Sequence, residues 1–290
     1  MTIPTEKPTK TLLHACCGPC SLEPVRVLRE QGVEPVVFYA NSNIHPADEY
    51  ARRLDTLRAW AAGAGLQVVE GSYDPDAWER TAGRAGDAAR ERFGVITHGP
   101  DADGSAAEGA GDAAAEEARR ARCRACYRLR SEEAAAWAAA HGFDALGTTL
   151  SVSPYQYTDV IFEELERACA RAGIAARLDD WRPYYEQATR RSREEGLYRQ
   201  NYCGCRFSDE EAAAERAERK AARAAERAAA RAERADRDAA EARERAERRA
   251  ERAAYDARQA RKRAVRKTLR DQARAEGPGT REAADEEGSL

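Results

Sequence analysis

The chain has 290 residues, 48 Lys/Arg against 51 Asp/Glu for a net charge of −3, and eight cysteines. No run approaches the ~18 apolar residues of a membrane helix, and the opening MTIPTEKPTK lacks the apolar stretch of a secretory signal, so the expectation is a cytoplasmic protein with no membrane partner. In a reducing compartment eight thiols are not a disulfide scaffold; spaced cysteines there hold metals or do chemistry.

Aromatic and β-branched residues concentrate in the first 208 positions, and the last 80 or so are mostly Ala, Arg and Glu. Residues 11–15 are short and apolar and run into CCGPCS, which predicts a buried strand ending in a loop. Ser21 reads as the N-cap of a helix to about 31, with Glu23 and Pro24 in its first turn. Strands are expected at 35–40 and 66–71, separated by a turn-rich loop at 41–46 and an amphipathic helix at 47–64. Residues 83–121, rich in Gly, Ala, Asp and Arg, read as a flexible insertion. Further on come a helix at 127–141, a strand at 144–150, a helix at 156–172, a strand at 174–178 and a short helix at 187–197. Strands alternating with helices predict an α/β domain over 1–208 with a parallel sheet. Residues 209–275 lack helix breakers and have no Leu/Ile seam, so a long solvated helix is expected there, with a disordered tail at 276–290.

The chemistry lies in three cysteine groups: Cys16-Cys17-Cys20, Cys123-Cys126 and Cys203-Cys205. Cys16 and Cys17 follow the first strand, where open α/β sheets place ligands. Cys123 and Cys126 sit among arginines at the expected N-terminal edge of a helix, and nearby guanidinium groups favour thiolates. Two thiolates from each segment satisfy either a four-iron–four-sulfur cluster or a tetrahedral zinc; adjacent cysteines suit the separate irons of a cluster better than one small ion. Cys203-Gly-Cys205 reads as a labile disulfide, a second metal contact or two buried thiols. Cys20 is either a further metal ligand or a packed residue, and Cys169 reads as core.

HACCGPCS at 14–21, FYANSNIHPADEYARR at 38–53, CRACYRLR at 123–130, TTLSVSPYQ at 148–156 and LYRQNYCGC at 197–205 together resemble the cobalamin-independent epoxyqueuosine reductases, the QueH family. The resemblance runs in order from about residue 11 to 208. It implies a Rossmann-like, HUP-like domain, a four-iron–four-sulfur cluster with a mononuclear iron beside it, and reduction of epoxyqueuosine to queuosine at the wobble base of tRNAs with GUN anticodons. By motif match, Cys16, Cys17, Cys123 and Cys126 are the implied cluster ligands, and Cys203 and Cys205 the implied redox-active pair. Cys20 is the candidate for the second iron. The electron donor is not implied. The segment before Cys123 and the tail after Ser208 depart from the family pattern.

Other candidates are weighed singly. His45 and Asn43 follow the second strand and read as proton-donating, base-contacting or loop-fixing residues. Tyr155, Gln156 and Tyr50 are candidates to stack on or hydrogen-bond a splayed anticodon base, with core packing the other reading for Tyr50. Arg199 reads as a phosphate contact or a partner of a local carboxylate. His14 beside the cysteines reads as a buried strand histidine or a ligand of the second iron. From 211 to 270 there are 20 basic and 12 acidic residues, with the excess at 261–270, so the tail reads as a solvated helix or as an arm on tRNA phosphate. Two other functions fit parts of the pattern: a PP-loop tRNA thiolation enzyme, which needs paired glycines where this chain has CCGPCS, and a zinc-stabilised RNA-binding module without catalysis.

Overall fold

Five short strands, β1 (Thr11–His14), β2 (Val36–Tyr39), β3 (Val68–Glu70), β4 (Ala145–Thr148) and β5 (Ala175–Ala176), pair in the order β3-β2-β1-β4-β5, every neighbour parallel. The computed structural model describes residues 10–97, 113–275 and 277. Each strand is preceded or followed by a helix because parallel strands need crossovers. The helices cover both faces, so alternate residues of β1 bury in opposite directions. Leu12 packs with Phe38, Leu146 and the Ala134/Ala135/Ala138 row, while Leu13 packs with Val25, Leu28 and Ala188. The first group lies under α5 (Ala113–Ala140) and α6 (Thr158–Ala172), the second under α1 (Gly18–Glu30), α2 (Ala47–Gly63) and α7 (Tyr185–Glu194). The strand order reverses between β1 and β4, and the crevice beyond their C-terminal ends is the switch point where such sheets bind ligands.

Several boundaries differ from the sequence expectation. α1 begins at Gly18, with Cys17 at its N-cap; Pro19 suits the first turn, and Ser21 Oγ donates to the Cys17 carbonyl at 2.9 Å instead of capping. Much of the stretch expected as a flexible insertion is helical. A short helix, α3 (Pro75–Trp78), passes through a π turn (Glu79–Gly83) into α4 (Arg84–Phe93), and α5 starts at Ala113, ten residues before Cys123. The middle of that stretch, 98–112, lies outside the described residues. The Ala/Glu/Arg lead-in has high helix propensity, and its arginines are used internally. Arg122, 3% exposed, makes a two-pronged bond to Glu211 at 2.5 and 2.8 Å, and Arg119 reaches Glu215 at 3.0 Å. α4 closes on Phe207 because Gly86 has no side chain; a Cβ there would stand 2.3 Å from the Phe207 ring.

Glu211 and Glu215 belong to α8 (Arg206–Ala275). The chain divides into two units, 1–219 and 220–290. In the second, every residue of α8 except Gln259 is exposed. The tail expected to be disordered, 276–290, lies outside the described residues except for Gly277. No helix among the described residues is long and apolar enough to cross a membrane.

Candidate metal centre

Cys16 and Cys17 leave the end of β1, and α1 returns Cys20 one turn later, so three sulfurs come within 4.8 Å of one another. Cys16 Sγ is 3.8 Å from Cys17 Sγ. The Thr149 hydroxyl, just past β4, reaches Cys16 Sγ at 3.6 Å and accepts from Cys16 N–H at 3.2 Å. Hydrogen bonds from Cys16 and Cys20 hold Cys17 well below its ordinary pKa, against the cost of burial. The same bonding pushes Cys16 up to about 11 and Cys20 well above its usual value. A thiolate at the N-cap of α1 also meets the positive end of the helix.

The other two cysteine pairs meet on the far wall. Cys126 and Cys205 are buried together against Trp78 and Phe207. Cys123 faces the apolar group of Tyr127 and Leu150, against which Cys16 also packs. Burial raises both Cys123 and Cys126, the latter to about 11; the charge of Cys205 acts on both, and they in turn act on Cys203. Cys203 and Cys205 are free thiols, as are all eight cysteines. Hydrogen bonding between them lowers Cys203 and raises Cys205, which makes Cys203 the more acidic of the two. Gly204 between them has φ +127°, and a Cβ there would lie 2.9 Å from Ile44 and 3.0 Å from Arg53 Nη1. Arg53, itself buried and bonded to Glu49 at 2.7 Å, donates to the Cys203 carbonyl at 2.9 Å.

Between the cysteine groups lies Arg130, 3% exposed, whose charge acts on Cys16, Cys126 and Cys203. It has no carboxylate within ion-pair distance among the described residues; Glu133 is the acid that feels its charge. One Nη donates to Asn41 Oδ1, and Asn41 in turn donates to the Ala15 carbonyl at 2.9 Å. The motifs do not single out Arg130, though it stands four residues after Cys126 and seven after Cys123, on one face of α5.

A cavity of about 350 Å³ opens onto this centre. Cys16, Cys20, Cys203 and Arg130 line it, and so do three of the expected substrate residues, Tyr155, Gln156 and Arg199. Gln156 Oε1 accepts from Tyr127 Oη at 2.7 Å, which leaves its amide N–H groups for a ligand. Tyr155 is 52% exposed and edge-on to Tyr185. Arg199 is braced on the Thr189 carbonyl at 2.6 Å and Ser192 Oγ at 2.9 Å, and among the described residues it forms no ion pair with a carboxylate. Tyr50 does not line the cavity: it is buried, stacked on Tyr73 at 3.9 Å and bonded to Glu70. Asn43 is buried with Nδ2 4.0 Å from Cys203 Sγ. His45 stands off the cavity, its backbone N–H donating to the Gly204 carbonyl at 2.8 Å and its ring beside Trp78 and Glu79. His14 has both ring nitrogens engaged, Nε2 donating to the Ala40 carbonyl at 3.1 Å and Nδ1 accepting from Thr148 Oγ1 at 2.9 Å. Burial and Arg130 push it down to about 3, so it is a neutral structural histidine.

The donor set suits a soft metal group. The sulfurs of Cys16, Cys17 and Cys20 come together at the end of β1, and among the described residues Asn43 Oδ1 and Arg130 Nε are buried without hydrogen-bond partners. An unpaired buried guanidinium requires a nearby anion, and thiolates or a thiolate-ligated cluster provide it.

The model of the family described as epoxyqueuosine reductase QueH matches residues 11–93 and 105–211. Proteins named epoxyqueuosine reductase QueH are similar along the same region. That of Dehalococcoides mccartyi is 29% identical over 203 residues, covering 70% of this chain and 93% of the relative. That of Haemophilus influenzae is 29% identical, covering 69% and 71%, and that of Acinetobacter baylyi is 29% identical, covering 69% and 80%. The matched segments contain every cysteine of the three groups, and the chain belongs to the epoxyqueuosine reductase QueH family of oxidoreductases.

Proposed function

We infer that this protein reduces epoxyqueuosine to queuosine at the wobble position of tRNAs with GUN anticodons, using a four-iron–four-sulfur cluster held by Cys16, Cys17, Cys123 and Cys126. The observation that carries the reading is the Cys16/Cys17/Cys20 sulfur group beside a cavity of about 350 Å³, with the buried Arg130 charge acting on thiols of all three cysteine groups. Opening an epoxide to an alkene consumes two electrons and two protons and releases water. A cluster bound here supplies electrons one at a time. Cys203 and Cys205 close the balance: oxidation of the neutral dithiol to a disulfide yields two electrons and two protons, and Cys203 is the more acidic thiol of the pair. Asn43 and the Arg53–Cys203 carbonyl bond fix that pair against the cavity. Tyr155 and the Gln156 amide face a splayed base, and Arg199 the adjoining phosphate. Cys20 is the candidate ligand of a mononuclear iron, a reading supported by its sulfur joining the Cys16/Cys17 group and its side chain lining the cavity.

The test is turnover on epoxyqueuosine-containing tRNA under anaerobic conditions. Cys16→Ser and Cys126→Ser are expected to lose both iron–sulfur absorbance and activity. Activity that survives loss of the cluster contradicts the mechanism.

A further inference from the structure

Between Lys220 and Arg274, α8 carries nineteen Lys/Arg and ten Asp/Glu. At about 100° per residue, fifteen of those nineteen cations fall in one sector of about 120°, which holds only three of the ten carboxylates. The other two-thirds of the circumference holds four cations and seven carboxylates. The stripe is also straight. Arg227, Arg245 and Arg263 stand eighteen residues apart, as do Arg234, Arg252 and Arg270, and eighteen residues are five whole turns. A seven-residue spacing drifts one way round a helix and an eleven-residue spacing the other; here the steps alternate seven and eleven, and the drift cancels. At ~1.5 Å per residue the stripe is roughly 80 Å long.

Few of its cations are used internally. Among the described residues this stretch contains two ion pairs, Arg245–Glu241 at 3.2 Å and Arg248–Glu244 at 2.9 Å. Apolar side chains are too sparse for a coiled-coil seam or for insertion into lipid: Tyr255, Val265 and Leu269 are the large exposed ones. A row of guanidinium groups along one side of a helix that is acidic elsewhere complements a row of phosphates.

We propose that the Lys220–Arg274 stripe binds the phosphate backbone of the tRNA substrate. This rests on the functional reading above. Double-helical RNA is gripped through phosphates and sugars rather than base edges, so the stripe adds affinity without choosing the anticodon. Carboxylates on the remaining faces confine the attraction to one side of the helix.

The experiment uses the full chain and GUN-anticodon tRNA, with affinity measured across a salt series. One variant exchanges neighbours at five places, R227A/A228R, R234A/A235R, R245A/A246R, R252A/A253R and R263A/A264R. Composition, net charge and helix propensity stay the same, and five arginines leave the stripe. Circular dichroism checks that the helix persists. The expected result is affinity weakened tenfold or more at low salt, and a log K against log salt slope reduced by about one for each phosphate that is no longer neutralised. The kcat at saturating tRNA stays at the parent value while KM rises. Unchanged affinity and slope overturn the proposal, as does self-association of the parent chain through α8 with tRNA binding unaltered in the variant. A parent chain that binds tRNA through the stripe yet never reduces epoxyqueuosine overturns the functional reading and leaves the stripe standing; a parent chain that binds no tRNA overturns both.

Discussion

Arg130 is the residue on which the electrostatics of the site turn. It is buried, has no carboxylate at ion-pair distance among the described residues, and acts on thiols from all three cysteine groups. Arg130→Gln is therefore expected to raise the thiols it now favours as thiolates, so that metal-free protein is alkylated several-fold more slowly at a fixed pH near neutrality, with its pH profile moved upward. Arg130→Lys, which keeps the charge, is expected to restore much of the rate. An unmoved profile in the Gln variant removes the countercharge role. Gly204 is the second sensitive residue. Its φ of +127° and the close approach of Ile44 and Arg53 leave no room for a Cβ, so Gly204→Ala is expected to cost ~1–3 kcal/mol by denaturant midpoint and to slow turnover by displacing Cys203. At this scale the sequence is most legible where chemistry sits in contiguous motifs, as in CCGPC and CGC. Arg130 and Arg53 are not legible there because arginine is common on this chain's surface, and only the fold reveals which arginines are buried.

The helices around the sheet are clasped by buried carboxylates. Glu164 of α6, its side chain fully covered, receives Arg124 at 3.0 Å and Arg128 at 2.9 Å from α5, and Arg167 at 2.9 Å from its own helix. Burial works against its ionised form, but the hydrogen bonds from Arg128 and Arg124 override that and lower its pKa. A carboxyl lowered in the folded state stabilises fully above its unfolded pKa of about 4.3 and loses that contribution as the pH falls from there through the lower folded value. Glu164→Gln is thus expected to lower stability at pH 7 and to flatten the acid limb of the stability profile; an equally steep limb in the variant contradicts this. The Arg122–Glu211 pair is the corresponding clasp between α5 and α8. Glu211→Ala leaves a buried guanidinium alone and is expected to cost ~3–5 kcal/mol, read from a denaturant titration. The same pair shows why the helices within 83–121 are not legible in the sequence. A run of Gly, Ala and Arg looks unstructured until Phe207 covers Gly86 and Glu211 and Glu215 take the arginines. The arginines' partners lie 89 and 96 residues away, and Phe207 lies farther still from Gly86. The βαβ alternation, by contrast, rests on local patterns of apolar runs and helix formers, and all five strands lie within the expected segments.

The first unit is a doubly wound sheet with Cys16, Cys17 and Cys20 at its switch point, and the described part of the second is a charge-segregated helix. The first fourteen residues of α8, up to Arg219, belong to the sheet's unit, so a truncation after Ser208 removes Glu211 and Glu215 from Arg122 and Arg119. Truncation after Arg219 is expected to leave the thermal midpoint close to that of the full chain, whereas truncation after Ser208 lowers it markedly. Equal midpoints for both contradict the clasp. The central claim is that thiols distant in sequence share one iron–sulfur cluster, and the most direct measurement is iron, zinc and acid-labile sulfide per chain in anaerobically purified protein. The account predicts at least about four irons and four sulfides per chain, lost in Cys126→Ser. A colourless protein with one zinc and no sulfide would contradict it.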